Sequence, residues 1–326
     1  MAKKIAGFDI GNHAIHIAIR TKKGVKRIVT EPLPEGMVRE DRIVSFEALA
    51  DFLKDICKKR KVRFDEAAII LPSGLCFCRR LSTPIMTHEQ LMTNLPYEFR
   101  DFITAEKEAY FYDYAVLNVI NDEEGNPVEM DLMAAACLKT TVQDYRNMFR
   151  RAGIKLTAAI PIEMAYTNLM QSQWEGGHCH CLVDLGHTAV RLYMYANGKY
   201  ESTHLVEYGC STLDNVIADA LHVDPFVAAS YREANHDNCQ ALPECMEIYQ
   251  NLANEIQRAI YFFRYNNSEA ELEHIHLVGG GARIQALRDV LADTLSVPVC
   301  DCSEILDAAD GLDVEFALGA VGAALQ

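Results

Sequence analysis

Two short segments of the chain carry residue types that handle phosphate. Ala6-Gly7-Phe8-Asp9-Ile10-Gly11-Asn12-His13-Ala14-Ile15-His16-Ile17 reappears as Leu182-Val183-Asp184-Leu185-Gly186-His187-Thr188-Ala189-Val190-Arg191-Leu192, at a constant offset of 175 residues. Each copy reads as a strand, an Asp-x-Gly turn and a second strand with alternating apolar positions, closed near Gly24 or Gly198. Each is therefore a β-hairpin. Such a turn exposes backbone N–H groups, and its glycine lets the main chain approach a ligand closely. A carboxylate faces phosphate only through a mediator. A divalent ion such as Mg²⁺, bridging Asp9 or Asp184 to phosphate oxygens through waters, supplies one. Two such hairpins make a phosphate clamp; one alone would mean little, because Asp and Gly dominate ordinary turns. Gly279-Gly280-Gly281, between a strand and a helix, adds a flat backbone surface and a helix N-terminus for a nucleotide. By itself that triplet reads equally as a packing turn.

His178-Cys179-His180-Cys181 resembles a metal cluster, but it lies where a strand begins, and alternate residues of a strand face opposite sides. The two cysteines then share one face and the two histidines the other, with no second Cys or His element to complement them. Reduced thiols serving as small core residues are the expectation. Eleven cysteines, an odd count in a chain with no export signal, speak against a disulfide framework.

These residues must be positioned by a globular scaffold. The chain has 326 residues, half of them hydrophobic and about a quarter charged, which excludes disordered and low-complexity classes. With 31 basic against 46 acidic residues the formal net charge is −15. Such a surface repels nucleic acid and anionic lipid unless a strongly local basic patch opposes it. The richest basic run, Lys58, Lys59, Arg60, Lys61 and Arg63, reads as a solvated helix C-terminus offsetting the helix dipole. No window is apolar for long enough to span a membrane, and Asp9 interrupts the first apolar run, so a cytoplasmic protein is expected.

Between the two hairpins, the spacing predicts a helix over 45–60 and strands over 67–71 and 76–81. Thr87-His88-Glu89-Gln90 is a capping box opening a helix that Pro96 should kink or restart. Strands over 110–119 and 130–138 follow, then a second capping box at Thr140 and Gln143 for a helix stopped by Gly153. Residues 80–157 thus form a compact β-α-β-β-α insertion with its own small core. After the second hairpin come a strand over 200–208, a turn at Gly209-Cys210-Ser211, helices over 212–221, 244–265 and 284–295, and a strand over 274–278. A closing helix over 315–325, rich in Gly and Ala, should pack tightly against a neighbour.

On these segments the sequence resembles the actin-like ATPase superfamily. Phe8-Asp9-Ile10-Gly11 is similar to its first phosphate loop, Val183-Asp184-Leu185-Gly186 to its second, and His276-Leu277-Val278-Gly279-Gly280-Gly281-Ala282 to its adenosine motif. Ile162-Glu163-Met164-Ala165 and the helix from Phe316 to Leu325 resemble its two connecting helices. Within the superfamily the chain is most similar to the FtsA-like PilM family of type IV pilus assembly proteins. The supporting segments are the 80–157 insertion, Arg151-Ala152-Gly153-Ile154, Tyr208-Gly209-Cys210, and Asn254-Glu255-Ile256-Gln257-Arg258-Ala259 with Tyr261-Phe262-Phe263. The resemblance implies an α/β fold, a duplicated actin-like (ribonuclease H-like) pair of domains with a small 1C-type α+β insertion. Its expected boundaries are 1–79 with 158–180 and 312–326, 80–157, and 181–311.

The resemblance further implies that ATP and Mg²⁺ are bound. Asp9 and Asp184 would hold the metal through water; Gly11, Asn12, His13 and His16 would meet phosphate from one side, and Gly186, His187, Thr188 and Gly209 from the other. Arg232, Gly279, Gly280, Gly281 and Arg283 would receive the nucleoside. The departures are His13 and His16 where lysine or serine is usual, a Gly-Gly turn reduced to Gly209-Cys210, and Ala228-Ala229-Ser230-Tyr231-Arg232 in place of an Ala-Glu-x-x-Lys motif. Mostly neutral histidine is a poorer phosphate partner, so the implication is weakened ATP binding and at most a weak ATPase. Glu163, the one acid leading the first connecting helix, either orients a hydrolytic water or caps the helix. The implied partner is the N-terminal peptide of a PilN-like inner-membrane protein, held near Cys76–Leu81 and the insertion, with no nucleic acid and with membrane attachment only through that partner. A small-molecule kinase and an FtsA-like or EutJ-like relative are the other readings.

Overall fold

The computed structural model describes residues 3–173, 179–196, 198–267, 271–300 and 317–325. Strands β1 (Ile5–Ile10), β2 (Ala14–Thr21) and β3 (Gly24–Pro32) form an antiparallel meander. A miniature hairpin follows, β4 (Val38–Arg39) and β5 (Arg42–Ile43), whose turn residues Glu40 and Asp41 have φ of 50° and 60°. Two successive positive φ values match the strand twist of a two-residue hairpin. Helix α1 (Phe46–Lys59) starts at Ser45, whose hydroxyl accepts the Ala48 N–H, and buries Leu49, Leu53 and Ile56 along one stripe. It leads into β6 (Glu66–Leu71), parallel to β1.

Next come β7 (Cys76–Pro84), α2 (His88–Glu98), β8 (Tyr110–Asn121), β9 (Pro127–Leu138), α3 (Lys139–Arg151), β10 (Leu156–Pro161) and α4 (Ile162–Gln173). The later part contains β11 (Cys179–Leu185), β12 (Val190–Ala196), β13 (Lys199–Val206), α5 (Cys210–Leu221), α6 (Pro225–Ala234) and α7 (Pro243–Asn266). It continues with β14 (Leu272–Val278), α8 (Gln285–Thr294), β15 (Val299–Cys300) and α9 (Leu318–Ala323).

The chain divides into two compact units, 1–169 with 319–326, and 170–318. The first contains a five-stranded sheet in the order β10-β6-β1-β2-β3, and the second one in the order β15-β14-β11-β12-β13. In each, the central strand pairs antiparallel with the next strand of its meander and parallel with a later strand on its other side. The two sheets are therefore built on one plan, as the repeated hairpins predict. The first core gathers Phe8, Ile15, Ile17, Leu53 and Ile69, with Phe149 packed edge-on to Phe8. The second gathers Val183, Leu192, Ile256, Ile260 and Leu277, with Cys179, Cys181, Cys210 and Cys245 as small fillers. His180, one residue out of phase, stands away from that core, beside His274 and His276. His178 lies outside the described residues.

A third sheet, β7-β9-β8, belongs to the first unit and has its own core of Leu81, Leu91, Leu95, Phe99, Leu132 and Met130. Its first strand begins at Cys76, earlier than the sequence boundary. Helix α3 does not join that small core. It buries Tyr145, Met148 and Phe149 in the main core of the unit, where Tyr145 stacks edge-on against Phe46 of α1.

Several local expectations need correction. The Thr87 capping box forms as written, but α2 runs through Pro96 to Glu98. Proline this near a helix end removes a single intrahelical bond. At Thr140 no capping box forms. β9 runs straight into α3, so Leu138 occupies the cap without a side-chain bond. The glycine triplet does not open α8 directly, because one 3₁₀ turn, Gly280–Arg283, intervenes. The closing helix is shorter than expected, and Glu315 and Phe316 lie outside the described residues. Helix α6 and the β4–β5 hairpin had no counterpart in the sequence reading. Among the described residues no helix is long and apolar enough to cross a membrane.

Candidate phosphate-binding loops

In the first unit, Asp9 is the penultimate residue of β1 and pairs across the hairpin with His16, while Ile10 pairs with Ile15. The loop between them, Gly11-Asn12-His13-Ala14, is pinned by a Gly11 N–H bond to the Ala14 carbonyl at 3.0 Å. Asn12 is latched to the β4–β5 turn: its Nδ2 donates to Asp41 Oδ1 at 2.5 Å, and its Oδ1 accepts the Asp41 N–H at 2.9 Å. Its side chain thus holds the loop in place. His16 Nδ1 lies 3.0 Å from Thr30 Oγ1 on β3.

Against Asp9 stands the start of α9. A Cβ at Gly319 would lie 2.9 Å from Asp9 Oδ2 and 2.8 Å from Ile70 Cδ1. One turn on, a Cβ at Gly322 would lie 2.1 Å from the Ala165 carbonyl, so α9 crosses α4 in near-backbone contact. The expected tight packing of a Gly/Ala helix is thereby realised. Glu163, in the first turn of α4, is 4% exposed and accepts from Ser73 Oγ at 3.0 Å.

The second unit repeats this plan with different supports. Asp184 pairs with Arg191 and Leu185 with Val190, leaving the loop Gly186-His187-Thr188-Ala189. Main-chain groups hold it: the Cys210 N–H donates to the Gly186 carbonyl at 3.0 Å and the Ser211 N–H to the His187 carbonyl at 2.8 Å. Gly209 makes this approach possible, since a Cβ there would lie 2.3 Å from the His187 carbonyl oxygen. Gly279, with φ of 83°, stands against the carboxylate. Its Cβ would lie 2.5 Å from Asp184 Oδ1, whereas one at Gly280 would meet nothing within 4 Å. Thr188 is exposed at the loop tip, and Arg283 is exposed on the 3₁₀ turn after Gly279.

Arg232 lies inside the unit, 4% exposed, and its Nε donates to Asp214 Oδ1 at 2.7 Å. Burial opposes its charge, but Cys210 and Asp214 beside it outweigh that and hold the guanidinium above its ordinary pKa. Burial also pushes the Cys210 thiol up to about 11. The other oxygen of Asp214 is buried, accepts no hydrogen bond among the described residues, and lies 4.0 Å from His187 Nδ1. Arg232 therefore reaches the second loop through Asp214 and His187.

A family model described as type IV pilus assembly protein PilM matches residues 7–314. The chain belongs to the PilM family. The solved structure of a PilM–PilN type IV pilus biogenesis complex matches this PilM-family chain with a TM-score of 0.82 at 19% identity, covering 98% of this chain and 97% of that one. Ethanolamine utilization protein EutJ from Carboxydothermus hydrogenoformans matches with a TM-score of 0.64 at 13% identity, covering 99% and 89%. MreB 5 of Spiroplasma citri bound to AMPPNP matches with a TM-score of 0.53 at 12% identity, covering 98% and 94%. The fold is that of the actin-like ATPases.

Sequence reasoning singled out the loop residues of this PilM-family protein but not their supports. Asp41 behind Asn12, Ser73 behind Glu163 and Asp214 behind Arg232 each lie far along the chain from the residue they serve. Arg191 stands seven residues after Asp184, as His16 stands after Asp9, and is paired with it across the hairpin in the same way.

Proposed function

We propose that this PilM-family chain binds Mg·ATP and serves pilus assembly as a scaffold, receiving the N-terminal peptide of a PilN-like inner-membrane protein that holds it at the inner face of the membrane. The observation that carries the nucleotide part is a pair of like cradles. In each unit a hairpin-end aspartate is faced by a glycine whose Cβ would collide with the carboxylate. Glycine lets the main chain come up against each carboxylate, and a carboxylate at the end of a hairpin loop suits a hydrated divalent cation. Asp9 and Asp184 would hold the ion, whose chemistry is to neutralise phosphate charge. His13 and His16, and Gly186, His187 and Thr188, would offer main-chain N–H groups and side chains to phosphoryl oxygens, with Gly11, its N–H bonded to the Ala14 carbonyl, shaping the first turn. Gly279, Gly280, Gly281 and Arg283 would lie along the nucleoside. Arg232 and Asn12 act as loop supports, and Glu163 as the partner of Ser73 at the start of α4.

The peptide part is supported by the likeness to a PilM–PilN complex and by the third sheet. Both its outer strands, β7 and β8, are edges with main chain available for strand addition. Tyr110 belongs to the small core, whereas Phe111 (52%), Phe102 (47%) and Tyr97 (58%) are exposed and offer apolar contact.

Titrating a fluorescent ATP analogue with and without Mg²⁺ tests the nucleotide part. Wild type should bind with Mg²⁺, and Asp184→Ala and Asp9→Ala should each lose the Mg²⁺-dependent share. No binding at any Mg²⁺ concentration would overturn it. Calorimetry with the PilN-like peptide, with and without ATP, tests the scaffold part: Phe111→Ser should weaken binding, and ATP should change the affinity.

A further inference from the structure

The charge of this chain is unevenly placed. Residues 1–63 contain 15 basic and 8 acidic residues, whereas the remainder contains 16 basic and 38 acidic. The fold gathers much of the basic excess at one end of the first sheet. The pairs Ile5 with Arg20 and Thr21 with Gly24 set the β2–β3 turn beside the start of β1. The Lys4 N–H donates to Asp65 Oδ2 at 2.8 Å, and Ile5 pairs with Glu66, so the α1–β6 connection enters at that same end. The Gly11 loop follows the last residue of β1 and lies at the opposite end of this sheet.

Some of these cations are neutralised locally. Lys3 and Lys155 share Glu66, and Arg60 is paired with Glu31. Others are not. Lys22 and Lys23 on the turn and Lys26 near the start of β3 are exposed, as are Lys58 and Lys59 at the end of α1 and Lys61 and Arg63 on the connection after it. None of these seven forms an ion pair among the described residues.

We propose that this end of the first unit is a docking face for an anionic phospholipid bilayer. Lysine ammonium groups that remain hydrated suit a fluid headgroup plane. Among the described residues up to 63, no large apolar side chain is exposed except Val44, so contact would be electrostatic, without insertion. That lack of exposed aromatic rings also disfavours single-stranded nucleic acid, which binds by stacking its bases. At this end the carboxylates of Asp65 and Glu66 are engaged by the Lys4 N–H and by Lys3 and Lys155, and a bilayer facing this end would feel exposed charges mainly within the screening length of about 10 Å. The face would add to any attachment through a protein partner.

Vesicle co-sedimentation with the full chain tests the proposal. The protein should pellet with phosphatidylglycerol/phosphatidylcholine vesicles at low salt, remain in solution with phosphatidylcholine alone, and lose affinity about tenfold or more at high salt. The exposed triples Lys22→Gln/Lys23→Gln/Lys26→Gln and Lys58→Gln/Lys59→Gln/Lys61→Gln should each weaken binding about tenfold, with unchanged melting curves. Arg258→Gln, in the second unit, should leave it intact. Equal pelleting with neutral vesicles, or retention of binding by both triples, would overturn the proposal. So would patch-dependent binding of an oligonucleotide tighter than binding of anionic vesicles at the same salt.

Discussion

The two hairpins place equivalent residues at equivalent ends of equivalent sheets, yet their loops are secured in different ways. The first is held by a side chain, Asn12 bonded twice to Asp41. The second is held by the main chain of Cys210 and Ser211, which come close only because residue 209 has no side chain. A side-chain latch can be removed by truncation. A main-chain latch is lost only by forcing the backbones apart. Hairpin loops built on one plan can thus differ in their supports while keeping carboxylate, glycine and strand register.

The largest expected effect lies behind the second loop. Arg232→Met leaves Asp214 buried without its charged partner and should cost about 3–5 kcal/mol, read from denaturant unfolding. If stability hardly changes, the pair does not support the loop. Gly209→Ala should follow at about 3 kcal/mol, because overpacking against main chain cannot relax by rotating a side chain. Hydrogen exchange should show protection lost at the Cys210 and Ser211 amides.

The neighbouring glycines sharpen the comparison inside the second unit. Gly279→Ala adds backbone strain at φ 83° to a clash with Asp184 and should cost about 2–3 kcal/mol. Gly280→Ala, with open space around it, should stay within about 0.5 kcal/mol. In the first unit, Asn12→Ala should cost only about 1 kcal/mol and leave the second loop's amide protection unchanged.

The smallest effect is a pH dependence in the first unit. Hydrogen bonding to Arg60 holds the Glu31 carboxyl below its ordinary range. A depressed folded-state pKa contributes stability above the unfolded value and loses it as pH falls through the folded one. Wild type should therefore lose stability on acidification through and below the ordinary carboxylate range, and Glu31→Gln should lose less over that interval.

Much of the fold was legible because it rests on local pattern. The repeated Asp-x-Gly hairpins announced two like sheets, and Ser45 and Thr87 marked helix starts through bonds to residues three positions away. Where the sequence reading failed, a distant contact overrode a local signal. The Thr140 capping box lost to a strand running directly into α3, and α3 left the insertion's core because Phe149 found Phe8. The loop residues were visible as motifs; the residues behind them were not.

By itself, the sequence determined the duplication, the two aspartates and the glycines beside them, because turn chemistry and strand alternation act over a few residues. Only the tertiary structure decided that Asp41 latches Asn12, that Arg232 turns inward to Asp214, and that lysines from separate segments share one end of a sheet. Those outcomes depend on which distant strands pair, and short-range periodicity does not encode that pairing.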